Sequence, residues 1–229
     1  MAIASPSVAL DRAISTVLTV AVVAFTVAYL RQNLWSSQDA GARELRVTVE
    51  ERWQDLKELA AIGQHRGNPS APIHLIEFAD FECPFCRRFD SVSRALENKY
   101  DGKLRRTFLH TPIPGHKFAL QAARVAECAG EQHRFWPMHD ALFALQDSLG
   151  TRPWILYARD AGIPSEAQFE QCAQRSDTVA AVAAGLRLAL DFEVRGTPTI
   201  VLNGRRMDGA PTTGMLDSVI KQLLKEGRQ

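Results

Sequence analysis

The chain has 229 residues, 46 % of them hydrophobic and 23 % charged, with a formal net charge of +1. Length and apolar fraction suit one globular domain with a substantial core plus an appendage. The near-neutral balance lacks the electrostatic footprint of a nucleic-acid binder, and four cysteines are too sparse for a small disulfide scaffold.

The first element is apolar. Ala13 to Leu30 is a run of 18 uncharged residues bounded by Arg12 and Arg31. As a helix it spans about 27 Å, close to the roughly 30 Å of a hydrocarbon layer. Tyr29 and Trp35 lie near its outer end, where aromatic rings favour the membrane interface. An uncleaved membrane anchor is expected. A cleaved signal has a shorter apolar core and an early small-residue cleavage site, and a core helix is the third alternative. Arginines flank both sides, so the positive-inside rule does not decide orientation.

A polar connector follows to residue 71. Within it, Glu44 to Ala60 places Leu45, Val49, Trp53, Leu56 and Leu59 among charges, a pattern that predicts an amphipathic helix. Gly63, Gly67, Asn68, Pro69, Ser70 and Pro72 then mark a loop.

Ile73 to Ala79 reads as a strand, Pro84 to about Lys99 as a helix with Phe89, Val92 and Leu96 on one face, and Leu104 to Leu109 as a second strand. From about His116 to Phe192 the pattern is helical, broken near Gly130, Gly150–Pro153 and Gly162–Pro164. Thr199 to Leu202 is a strand, Asn203-Gly204 a hairpin turn, Arg205–Met207 a short return strand, and about Thr212–Lys225 a closing helix. The predicted organisation is therefore an anchor or signal at 1–31, a connector at 32–71, and a mixed α/β domain at 72–229 with a helical insertion over about 116–192.

Chemistry concentrates at Cys83-Pro84-Phe85-Cys86, where strand gives way to helix. Two thiols one helical turn apart meet the unpaired N–H groups and positive dipole end of the helix. Both favour thiolate, so the Cys83 pKa is expected to fall and Cys86 to act as the resolving thiol. Pro84 suits the first helical turn. Half of a zinc site is the competing interpretation, but no second CxxC exists, and the remaining ligands would have to come from His110 and His116. No Gly-rich phosphate loop of either common type occurs, and neither a metal nor a cofactor is expected. Phe135, Trp136, His139 and Phe143 recur at helical spacing and read as core; His116 is a weak candidate for lining a groove.

The stretch Glu77-Phe78-Ala79-Asp80-Phe81-Glu82-Cys83-Pro84-Phe85-Cys86 resembles the active-site region of DsbA-like thiol–disulfide oxidoreductases. Arg195-Gly196-Thr197-Pro198-Thr199 is similar to the cis-proline loop that thioredoxin-fold proteins place opposite the CxxC. The likeness covers about Pro72 to Lys225. It implies a thioredoxin-like fold with a helical insertion, Cys83 as nucleophile, Pro198 as a cis proline, and Thr197 as a backbone partner for substrate. It also implies a buried acid at Glu77 that takes the proton as Cys86 attacks. Where the best-known oxidant of the family has Pro-His, this chain has Pro84-Phe85, which leaves redox potential and direction open. Glu82 is expected to point to solvent. By the same likeness Cys128 and Cys172 form a structural disulfide, with two buried free thiols as the alternative. The implied function is introduction of disulfides into cysteine-containing substrate proteins outside the cytoplasm, beside a membrane redox partner. A reductase or isomerase using the same pair, and a non-catalytic binding or chaperone module, are the alternatives.

Overall fold

The computed structural model describes Thr26, residues 47–49, residues 61–176 and residues 179–227. The chain divides into two units, Met1–Glu44 and Leu45–Gln229, and the elements below lie in the second. The expected anchor at 13–30 falls outside the described residues apart from Thr26, which is helical. Among the described residues no helix is long and apolar enough to cross a membrane.

Six strands form one sheet: β1 Val47–Val49, β2 Gln64–Gly67, β3 Ile73–Ala79, β4 Leu104–His110, β5 Thr199–Leu202 and β6 Arg205–Asp208, in the order β1-β6-β5-β3-β4-β2. β3 and β4 are parallel and the other pairs antiparallel. The parallel pair requires a crossover, supplied by α1, Pro84–Lys99. The insertion between β4 and β5 holds α2 Ala119–Gly130, α3 Phe135–Ala144, a 3-10 turn Gln146–Ser148, α4 Trp154–Asp160, α5 Glu166–Ala173 and α6 Ala180–Asp191. α7, Thr213–Glu226, closes the domain. This is the thioredoxin-like α/β fold with a helical insertion.

Strand alternation explains the layers. Ile73 and Leu75 of β3 share a cluster with Phe89 and Leu96 of α1 and with Leu216 and Ile220 of α7. The intervening Ile76 and Phe78 pack with Leu188 and Ala189 of α6. A strand covered on both faces carries a nearly continuous apolar run, as β3 does. α6 lies close on the sheet because position 185 is glycine: a Cβ there would sit 2.3 Å from the His110 carbonyl oxygen. Asn203 (φ +46°) and Gly204 (φ +81°) make the β5–β6 turn, as a hairpin needing two positive φ angles demands. The Asn203 side chain accepts from the His74 N–H (2.7 Å) and donates to the Pro72 carbonyl (2.8 Å).

Two expectations are corrected in the connector. Val47–Val49 is a strand within the stretch expected as an amphipathic helix, antiparallel to β6 in the register Val47↔Met207. Free sheet-edge hydrogen bonds and three β-branched residues outweigh the helical spacing there; the rest of that stretch lies outside the described residues, and Ala61 and Ile62 just after it are helical. Gln64–Gly67, expected as loop, pairs with the outer edge of β4. Gly67 (φ +96°) terminates it. The sheet thus starts upstream of residue 72.

Candidate functional site

The site lies where β3 ends and α1 begins. Cys83 is the N-cap of α1, with extended backbone (φ −73°, ψ 120°), and Pro84 occupies the first turn. The Cys83 carbonyl accepts from the N–H groups of Cys86 (3.1 Å) and Arg87 (3.2 Å), and the Cys83 N–H donates to the Asp80 carbonyl (3.1 Å). Gln146, from the 3-10 turn of the insertion, donates its side-chain amide to the carbonyls of Phe81 (2.7 Å) and Cys83 (3.0 Å). The insertion therefore holds the loop that presents the first sulfur.

Cys83 and Cys86 are both free thiols. Cys83 is 2 % exposed and Cys86 fully buried, whereas Phe85 is 52 % exposed. An incoming chain meets Phe85 and Cys83 before Cys86. Across from them the Thr197–Pro198 peptide bond is cis, and the Cys83 thiol donates to the Thr197 carbonyl (3.3 Å). The structure thus gathers Cys83, Pro84, Phe85, Cys86, Thr197 and Pro198 at one place.

The two sulfurs have opposite electrostatics. A hydrogen bond from the Cys86 thiol lowers the Cys83 pKa to about 5, against the opposing effect of burial, with further help from the Thr197 side chain and the N–H groups of Cys86 and Phe85. The Thr197 hydroxyl is buried without a hydrogen-bond partner among the described residues, and the contact seen is between the Cys83 thiol and the Thr197 carbonyl. Cys86 moves the other way: burial first, then its hydrogen bond to Cys83 and the charge of Glu77, push it well above the ordinary thiol value. One sulfur is poised as thiolate and the other is held as thiol.

Glu77, on the α1 face of β3, is completely buried. Burial raises its pKa to about 7, with Arg106 opposing and Asp90 and Glu97 assisting. Arg106, equally buried, donates to Glu77 Oε2 (2.7 Å) and Asp90 Oδ1 (3.1 Å). Glu77 Oε1 has no partner among the described residues. A buried carboxyl near neutrality, electrostatically coupled to Cys86, can hold or release the proton of the resolving thiol.

One side chain behaves otherwise than expected. Glu82 does not point to solvent; its carboxylate accepts from the Phe118 N–H (2.6 Å), at the start of α2. His116 reaches Asp80, its Nδ1 lying 2.8 Å from Asp80 Oδ2. Asp80 also accepts from the N–H groups of Glu82 (2.7 Å) and Ile113 (2.8 Å). Asp80, Arg106 and Gln146 were missed from sequence. Only Arg106 carried a signal: an arginine within the otherwise apolar pattern of a central strand needs buried partners.

Cys128 and Cys172 are joined as a disulfide tying α2 to α5, with Cα atoms 5.7 Å apart. They are bonded to each other and not to the free thiols Cys83 and Cys86, although all four cysteines lie in one buried core cluster. His139 is buried and, chiefly through burial, its pKa falls to about 4; it bonds Asp140 at 2.9 Å. Asp90, His139 and Asp140 lie close enough to share a cation, but the Arg106 guanidinium is already paired with Asp90 there, and its charge opposes a metal.

Fold and site define a thioredoxin-fold protein with a CxxC pair opposite a cis proline. The chain belongs to the thioredoxin family, whose model matches residues 61–222. It is 34 % identical over 164 residues to Na(+)/H(+) antiporter NhaA 3 of Salinispora tropica, covering 71 % of this chain and 25 % of that protein. The chain spans about a quarter to a third of the length of the first curated relatives it matches. Among solved structures it is similar to a thioredoxin-like oxidoreductase from Silicibacter pomeroyi, with TM-score 0.63, 24 % identity, and coverage of 74 % of this chain and 97 % of that one. It is also similar to the thiol-disulfide exchange protein alpha-DsbA2 of Wolbachia pipientis, with TM-score 0.65, 20 % identity, and coverage of 73 % and 91 %. The architecture is DsbA-like.

Proposed function

We propose that the chain is a thiol–disulfide oxidoreductase whose Cys83–Cys86 disulfide is donated to cysteine-containing substrate proteins. The observation that carries this reading is the split between the two sulfurs, one favoured as thiolate and the other as thiol. Stabilising the Cys83 thiolate stabilises the dithiol form, which makes the disulfide more oxidising.

In the proposed cycle a substrate thiolate attacks Cys83 Sγ. The Cys83–Cys86 bond breaks and Cys86 leaves, taking a proton from Glu77. A second substrate thiolate then attacks the substrate sulfur of the mixed disulfide, and Cys83 departs as thiolate. Two electrons pass to this chain and the substrate gains a disulfide; of the two substrate protons, one restores Glu77, whose own proton is now on Cys86, and the other is released to water. Thr197 supplies backbone contacts for the substrate chain, and Phe85 an apolar one. Reoxidation requires a partner disulfide, assigned here to a membrane redox protein. The Cys128–Cys172 disulfide supports an oxidising, extracytoplasmic compartment. The apolar run at 13–30 supports tethering to the membrane, which raises effective concentration near that partner.

The direction is tested by equilibrating the chain with glutathione and trapping thiols. A potential near the roughly −120 mV of a strong disulfide donor is expected. One near about −270 mV, that of a thioredoxin-type reductant, reverses the assigned direction. Loss of dithiol oxidation in both Cys83→Ser and Cys86→Ser is expected; unchanged turnover in either removes the pair from the mechanism.

A further inference from the structure

The buried ion pair between Glu77 and Arg106 is only half made. A guanidinium and a carboxylate satisfy each other best through two parallel N–H···O bonds. Here there is one, from Arg106 Nη2 to Glu77 Oε2 at 2.7 Å. Glu77 Oε1 and Arg106 Nε, which could complete the fork, are both buried without a partner among the described residues. Two unsatisfied atoms in one buried pair are unfavourable, so other groups must hold the guanidinium where it is.

Three other groups share it. Nη1 donates to Asp90 Oδ1 (3.1 Å) and lies 3.8 Å from Glu97 Oε1, both on α1. Nη2, besides Glu77, faces His139 Nε2 of α3 at 3.5 Å. An arginine nitrogen can only donate, so this contact requires Nε2 to be the bare, accepting nitrogen of a neutral imidazole. The ring proton then sits on Nδ1, which donates to Asp140 Oδ1 (2.9 Å). Asp140 is anchored in turn, its Oδ2 lying 3.4 Å from Arg66 Nη1 and 3.3 Å from Arg94 Nη1. Neighbouring rings confine the imidazole: Trp136 and Phe143 lie at 4.9 Å and Phe108 at 5.0 Å between centroids. The line Asp140–His139–Arg106–Glu77 thus runs from a partly exposed carboxylate to the buried acid.

We propose that His139 and Asp140 are positioning residues that hold Arg106 off the second oxygen of Glu77, so that Oε1 stays free to carry a proton. Asp140 fixes the imidazole tautomer, and the imidazole takes one Nη2 hydrogen. The guanidinium, shared in this way, does not close its fork on Glu77. Both residues act through Arg106. The charged and titratable groups facing Glu77 are Arg106 from β4 and Asp90, Glu97 and Cys86 from α1. Of these Arg106 alone favours the carboxylate, and a closed fork would strengthen that one attraction and drive the proton off. This inference rests on the acid role given to Glu77 in the exchange cycle. It adds the helical insertion, through α3, as the element that keeps the acid able to hold its proton.

The test is the Glu77 titration midpoint, followed by carbon-13 NMR of the side-chain carboxyls in the reduced, glutamate-labelled chain. The Glu77 signal is identified by its absence in Glu77→Gln. His139→Phe keeps a ring among Phe108, Trp136 and Phe143 and removes the acceptor. Its Glu77 midpoint is expected to fall by about one pH unit, roughly a tenfold loss of proton affinity. His139→Gln, whose amide oxygen can accept at the reach of Nε2, is expected to bring the midpoint back towards wild type. An unshifted midpoint in His139→Phe overturns the proposal, whatever happens to its melting temperature. Should that variant fail to fold, nitrogen-15 NMR of wild-type His139 decides. A neutral ring protonated at Nδ1 supports the clamp, and protonation at Nε2 refutes it. If Glu77→Gln exchanges disulfides as fast as wild type, the acid role of Glu77 falls and this inference with it. Slowed exchange in Glu77→Gln beside an unshifted midpoint in His139→Phe refutes the clamp alone.

Discussion

Glu77 shows how one residue couples proton movement to stability. Its pKa is raised to about 7 by burial, against an ordinary value of 4.5. The folded chain therefore holds a proton that the unfolded chain loses between those values. Stability from this group is fully present below pH 4.5 and lost as pH rises through about 7. A Glu77→Gln variant should lose less stability over that interval, measured by urea unfolding at several pH values. The same variant should slow substrate oxidation by about a hundredfold, the low end of what a positioned acid–base group contributes. Stopped-flow of the first exchange step checks this, since that step delivers the Cys86 proton. Cys83 has the opposite sign: its depressed pKa stabilises the reduced chain above the ordinary thiol value of 9.0, and this is lost as pH falls through about 5. The stability gap between reduced and oxidised chain should shrink on acidification.

At the scale of elements, close approach of helix and sheet is a constraint with a visible cause. α6 rests on β4 at Gly185, where an added methyl would meet the His110 backbone at 2.3 Å. Backbone cannot yield as a flexible side chain does, so Gly185→Ala should cost about 1–3 kcal/mol by overpacking. Denaturant unfolding measures this. The effect should fall on stability rather than on the Cys83 thiolate midpoint, because α6 packs on Ile76 and Phe78, the sheet face opposite Glu77. The 3-10 turn at Gln146 differs in kind, since its amide grips the carbonyls of Phe81 and Cys83 and ties the insertion to the first sulfur.

Over the whole domain, the helical insertion is stapled to itself and docked on the site. The Cys128–Cys172 bridge closes a span of 44 residues, for which loop entropy contributes roughly 4 kcal/mol. A Cys128→Ala, Cys172→Ala double variant should lose about that much, read as a lower denaturant midpoint. It should retain the Cys83 alkylation profile, because the bridge makes no bond to either site sulfur. If that profile collapses as well, the bridge supports the site and not only the insertion.

What the sequence by itself determined is local. β3, α1 and the β5–β6 hairpin are written in short patterns: a doubly buried apolar run, a proline-started helix and an Asn-Gly turn. The placement of Cys83 at a helix start follows from neighbours a few residues away, and so does its expected acidity. Partner choice was decided only by the tertiary structure. The edge strands β1 and β2 exist because β6 and β4 offer unpaired backbone, which no window around Val47 or Gln64 displays. Glu82 meets the Phe118 N–H, His116 meets Asp80, and Arg106 joins Glu77 to Asp90 through contacts between residues 16 to 36 apart in the chain. Periodicity and propensity act over one or two turns, whereas a buried charge takes whichever partner the packed fold brings within reach.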